Sequence, residues 1–91
     1  MVYASGQIPL DPATGEKVDG EIEDEARQVL ANLAAVLEAA GSGMDRVVKA
    51  TVYLTDLSLF PRVNEVYAAA FDVHPAPARV TVGVAALPLG A

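Results

Sequence analysis

Two different periods divide the chain. Apolar residues recur in steps of three and four from Ile22 through Ala26, Val29, Leu30, Leu33 and Leu37 to Ala40, the stripe of an amphipathic helix. Glu21, Glu23, Asp24 and Glu25 load its first turns with negative charge, as the helix dipole favours, and Gly41 is placed to cap its end. Residues 47–55, VVKATVYLT, instead alternate with a period of two and predict a strand. The same alternation runs through RVTVGVAAL, residues 79–87, and MVYASG predicts a strand from residue 1. Ahead of RVTVGVAAL, Phe60, Val63, Tyr67, Ala70 and Phe71 form the stripe of a second helix. Asp56 or Ser58 is its N-cap, and Pro61 is tolerated in its first turn. Pro9, Pro12, Gly15 and Gly20 punctuate a loop after the first strand, and DVHPAPA is a stiff loop before the third. The predicted order is β-α-β-α-β, and right-handed crossovers put both helices on one face of the sheet.

Alternation then sorts the strand residues. Val2, Ala4, Val48, Ala50, Val52, Leu54, Val80, Val82 and Val84 are expected to face the helices. Tyr3, Ser5, Lys49, Thr51, Tyr53, Arg79, Thr81 and Gly83 then share the other face, which is rich in hydroxyl-bearing β-formers. Such a face is either solvated, as in many one-sided sheets, or covered by further subunits with polar groups at the seam.

Composition sharpens that choice. The chain has 91 residues, read as one domain over 1–91, and 53% of them are apolar. A chain of this size buries only about two thirds of its unfolded surface, so some of that apolar content is expected to meet another subunit. Twelve Asp and Glu against six Lys and Arg leave a net charge of −6, which repels phosphate backbones and disfavours nucleic-acid binding. No apolar run approaches the roughly 20 residues of a membrane span, so no membrane partner is expected. Cys is absent, which removes disulfides and thiol nucleophiles and makes a cytoplasmic location the default expectation.

Candidate chemistry is sparse. There is no phosphate-binding loop, dinucleotide fingerprint or zinc spacing, and DPATGE lacks the spacing of a calcium loop. Arg79 stands at a strand start beside a proline-stiffened loop. Its planar fork matches a carboxylate, either of a ligand or of a surface acid. Ser5 can hydrogen-bond a ligand or simply make the turn before Gly6, and Thr81 is a polar neighbour on the Arg79 face or a plain β-former. Asn64 interrupts the apolar stripe of the second helix and needs a backbone or ligand partner. His74 has no acid or Cys at useful spacing and reads as a loop histidine.

The segments SGQIPLDPATGE, RQVLANLAAVLEAAG, VVKATVYLTDL, VNEVYAAAF, PARVTV and ALPLGA, in that order, resemble the RidA/YjgF family over nearly the whole chain. The resemblance implies an α+β, chorismate-mutase-like fold, with three copies packing their sheets into a central barrel and the helices outside. It implies a homotrimer that hydrolyses reactive 2-imino acids and their enamines, such as 2-iminobutanoate and 2-iminopropanoate, to 2-oxo acids and ammonia. By the same resemblance Arg79 is the catalytic arginine that holds the substrate carboxylate. Ser5, Gly6, Asn64 and Thr81 line the pocket, and no metal or organic cofactor is required. The family's upstream Gly-Pro-Tyr segment and its last, glutamate-bearing strand have no match here, so the domain is expected to lack both. The alternative is a non-catalytic trimeric binding module that senses carboxylate metabolites or binds a partner enzyme. A ribonuclease reading, also attached to the family, fits poorly with the charge of −6.

Overall fold

The computed structural model describes residues 3–4, 6–18, 20–71 and 77–88. Helix α1 spans Ile22–Ala39, where the period of three and four placed it. At its start the Asp24 carboxylate accepts the Glu21 backbone N–H at 3.1 Å. Gly20, with φ 148°, stands directly against that cap: a Cβ there would lie 2.8 Å from the Asp24 carboxylate. At its end Gly41 adopts φ 78° and donates to the Glu38 carbonyl at 3.0 Å, while Ser42 donates to the Leu37 carbonyl at 2.8 Å. These paired bonds satisfy carbonyls the helix would otherwise leave bare.

Strand β1 covers Lys49–Leu54. A single 3-10 turn, Leu57–Leu59, then leads into α2, Phe60–Ala70, with Pro61 in the first turn. Asp56 caps the 3-10 turn rather than α2 itself, accepting the Ser58 hydroxyl at 2.6 Å and the Ser58 backbone N–H at 2.9 Å. Those two bonds hold its carboxyl below the ordinary carboxylate range. Strand β2, Ala78–Gly83, pairs with β1 in parallel. The described residues thus form an α+β fold of two helices and a two-stranded sheet, with α1 packed on α2. Its core joins Leu37 of α1, Leu54 of β1, Val63 of α2 and Phe71 just beyond α2.

The alternation of β1 holds: Ala50, Val52 and Leu54 are covered, while Lys49, Thr51 and Tyr53 are exposed. On β2 the expected faces are exchanged. Ala50 pairs with Arg79, Val52 with Thr81 and Leu54 with Gly83, and partners in a parallel ladder point to the same side of the sheet. Arg79, Thr81 and Gly83 therefore lie on the helix side, and Val80 and Val82 lie on the open side, 44% and 37% exposed. The physical cause is what α2 and the 3-10 turn offer that side. Phe60, Asn64 and Tyr67 receive the Arg79 head group. Leu57 lies so close over Gly83 that an added Cβ would meet its side chain at 3.1 Å.

Three further expectations shift. Val48 precedes β1 and is exposed, not covered. Tyr3 and Ala4 belong to neither strand and are exposed. β2 ends at Gly83, although the Val84 N–H still reaches the Leu54 carbonyl at 2.8 Å. Val2, Ser5 and His74 lie outside the described residues.

The punctuated loop is ordered by its own hydrogen bonds. Leu10 bridges Lys17 in antiparallel fashion, and the turn between them closes with the Gly15 N–H on the Asp11 carbonyl at 2.7 Å. Asn32 of α1 ties this loop down, donating to the Leu10 carbonyl at 2.7 Å and the Ile8 carbonyl at 3.4 Å.

Candidate active site at the β2–α2 seam

Arg79 enters the site from the second position of β2, whose start is fixed by the Ala78 N–H on the Val48 carbonyl at 3.0 Å. Its guanidinium lies over two rings of α2, 5.1 Å from the Phe60 centroid and 4.9 Å from that of Tyr67. It also donates from Nη1 to the side-chain oxygen of Asn64. Phe60, Asn64 and Tyr67 stand at i, i+4 and i+7 of the helix, so one face of α2 supplies all three contacts. Tyr67 is held in turn against Phe71, with ring centroids 4.7 Å apart.

The electrostatics of this group differ from those of three other cations, which are paired with acids. Arg62 is bridged to Glu21 and Glu23 at 3.0 and 2.6 Å, Arg27 to Asp24, and Lys17 to Glu25. Among the described residues no carboxylate pairs with Arg79. Tyr67 does not compensate it either: burial raises the pKa of its phenol, and the nearby Arg79 charge only partly opposes that shift. A full positive charge is thus presented with one of its five N–H groups engaged in the described hydrogen bonds.

Two hydroxyls, Tyr67 Oη and Thr81 Oγ1, are buried without a hydrogen-bond partner among the described residues. Thr81 is two residues along β2 from Arg79, on the same side of the sheet. Because the Asn64 oxygen faces the guanidinium, its amide N–H groups are turned away from Arg79. Chemically, the seam is a cation with flanking polar groups, suited to recognising a carboxylate. Among the described residues no cluster of three His, Cys, Asp or Glu groups is placed to hold a metal.

Of the expected pocket residues, the fold joins Arg79 to Asn64 and puts Thr81 on the same side of β2 as Arg79. Gly6 is exposed, nothing lies within 4 Å of an added Cβ there, and no described hydrogen bond joins it to Arg79. Ser5 lies outside the described residues. Sequence reasoning treated Phe60 and Tyr67 as core. Their signal was the spacing of two aromatics around Asn64 on one helix face, opposite a strand that carries an arginine. A separate shallow groove of about 400 Å³ runs between α1 and α2 past Glu23, Arg27, Glu65, Val66, Ala69 and Ala70, and none of the expected pocket residues lines it.

A parallel strand pair packed with two helices, in which Arg79 meets no carboxylate among the described residues, defines a small α+β domain. The chain matches the Endoribonuclease L-PSP family over residues 1–91, and it belongs to that family, which includes the Rid proteins. It is 53% identical over 88 residues to a RutC family protein of Pyrococcus horikoshii, a match spanning 97% of this chain and 69% of that one. It is 47% identical over 89 residues to the 2-iminobutanoate/2-iminopropanoate deaminase of Rattus norvegicus, spanning 98% of this chain and 64% of that enzyme. The crystal structure of YyfA of Yersinia pestis, of the Rid family, superposes with a TM-score of 0.93 at 49% identity, over 97% of this chain and 70% of that one. Among the described residues no helix is long and apolar enough to cross a membrane.

Proposed function

We propose that this protein hydrolyses reactive 2-imino acids to 2-oxo acids and ammonia, with Arg79 holding the substrate carboxylate. The observation that carries the reading is the Arg79 charge, fixed against α2 and matched by no described acid. The similarity to a mammalian imine deaminase supports the same chemistry. In the reaction, water adds to the imine carbon and the C–N bond breaks, releasing ammonia and leaving a carbonyl. The carboxylate next to that carbon is the handle by which the substrate is oriented. Imines hydrolyse without assistance, so orientation and a polarised nitrogen suffice for acceleration. Asn64 amide N–H groups and the Thr81 hydroxyl are the polar groups next along the seam.

Assembly is part of the reading. The open side of the sheet carries Lys49, Thr51, Tyr53, Val80 and Val82, with two valines where the sequence pattern put Arg79 and Thr81, and further copies in a homotrimer are its proposed cover. We place this activity in the cytoplasm.

The binding-module alternative keeps one observation on its side. Arg79, Asn64, Thr81 and a neutral Tyr67 include no group suited to proton transfer near neutral pH. The deciding experiment measures ammonia release from 2-iminobutanoate generated in place, beside binding of 2-oxobutanoate. Release above the spontaneous rate supports hydrolysis. Binding without turnover establishes the module instead.

A further inference from the structure

We infer that Phe60 and Tyr67 are positioning residues: by seating the Arg79 guanidinium against two rings they set the preference of the site for a planar carboxylate. The inference rests on the proposal that Arg79 receives the carboxylate, and goes beyond it by assigning residues that never touch the substrate.

An arginine on an exposed strand end has many rotamers, and binding a ligand must freeze them. Here they are already restricted. The guanidinium lies 5.1 Å from one ring centroid and 4.9 Å from the other, and its Nη1 is engaged by Asn64. Stacking on an aromatic face suits a delocalised, weakly hydrated cation and orients its plane without occupying an N–H group. An acid in the same place would neutralise the charge the ligand needs. The rings hold the fork and leave its charge in place.

Tyr67 carries a second sign of this role. Its hydroxyl is buried and has no hydrogen-bond partner among the described residues. What the position uses is the ring, which contacts both Phe71 and Arg79. Phe60 performs the same task without a hydroxyl.

The test measures binding of 2-oxobutanoate and of its neutral analogue 2-oxobutanamide to the full chain, by calorimetry or NMR titration. Loss of packing alone weakens both ligands together, whereas a misplaced fork reduces the ratio between them. We expect Tyr67→Phe to keep the wild-type preference for the carboxylate. Tyr67→Leu and Phe60→Leu should each cut that preference by about tenfold, the scale of one weakened charge-assisted contact. Phe60→Leu decides the matter if Tyr67→Leu does not fold. An unchanged ratio in the folded leucine variants overturns the clamp, while a ratio lost in Arg79→Ala leaves the carboxylate reading standing. A ratio retained in Arg79→Ala shows that the carboxylate is held elsewhere, and overturns that reading and the clamp together.

Discussion

Arg79 of β2 and Asn64 of α2, 15 residues apart in the chain, are joined side chain to side chain, the guanidinium donating to the amide oxygen. The bond is neutral on the asparagine side, so it orients the cation without cancelling its charge. An aspartate at the same place would do both.

Asn64→Asp therefore tests whether the free charge matters. The new carboxylate would pair with Arg79 and compete with any incoming carboxylate. We expect affinity for 2-oxobutanoate to fall by about tenfold or more, since a charge-assisted contact is roughly twice as strong as a neutral one. Asn64→Ala, which only loosens the arginine, should cost less. Titration of both variants under the same conditions gives the order, and an Asn64→Asp variant that binds as the wild type does rules the competition out.

Arg79→Ala should lower kcat/KM for 2-iminobutanoate by about ten- to a hundredfold, because a bidentate charge-assisted contact contributes about 1.5–3 kcal/mol and each 1.4 kcal/mol is tenfold. Arg79→Lys should recover only part, since a point charge cannot reproduce the fork or the contact of a planar cation with the Phe60 and Tyr67 rings. Steady-state ammonia release measures both. Wild-type kcat/KM in Arg79→Ala returns this residue to a purely structural role.

Both helices, the cap at Gly41 and the inward face of β1 were legible because each rests on a local pattern with a single physical cause. The face of β2 was not. Val80 and Val82 are apolar, and a pattern of period two says that two sides differ without saying which is covered. Only the register with β1, Ala50 against Arg79, fixes the side, and register is a long-range fact. The site shows the same limit. Arg79 and Asn64 stood out as polar residues in apolar surroundings, whereas Phe60 and Tyr67 looked like core until the strand was laid beside them.

The exchanged face makes the assembly testable at new positions. Val82, on the open side of the sheet, is 37% exposed in the single chain, and Val80 is 44% exposed. A lysine at Val82 puts a charge where a homotrimer would bury an apolar side chain, and an unpaired buried charge is strongly disfavoured. Sedimentation of wild type should report three copies, and of Val82→Lys a shift toward monomer at the same concentration. A monomeric wild type removes the trimer from the proposal.

The start of α1 and the first turns of α2 are linked through Arg62, which reaches Glu21 and Glu23. The hydrogen bond from Arg62 is the first cause of a Glu23 pKa held below its ordinary 4.5. A lowered folded pKa contributes stability that is complete above the unfolded value and is lost as pH falls through the folded one. Melting curves of wild type and Glu23→Gln should thus differ at neutral pH and converge only as the pH falls through the lowered folded pKa of Glu23, below its ordinary value. A gap that persists unchanged into that range assigns the effect to packing rather than charge.

Asn32 gives the last prediction, and it concerns the stability of the loop before α1. Its amide donates to the carbonyls of Leu10 and Ile8, at 2.7 and 3.4 Å, and accepts from Gln28 at 2.9 Å. Together with the Lys17–Glu25 ion pair, these bonds hold the loop against α1. Asn32→Leu keeps the volume and removes every one of these bonds. Leaving partly buried carbonyls unpaired costs about 1–3 kcal/mol, and in a domain of this size each 1 kcal/mol moves Tm by roughly 4–8 °C. Asn32→Asp should be worse than its similar shape suggests, because a carboxylate turns acceptor oxygens toward carbonyl oxygens. The loss should be local first. Hydrogen exchange at Asp11, Gly15 and Val18, whose N–H groups close the loop, should quicken before exchange in the middle of α1 does. Equal acceleration in both places would mean that Asn32 supports the whole fold rather than the loop that leads away from Gly6.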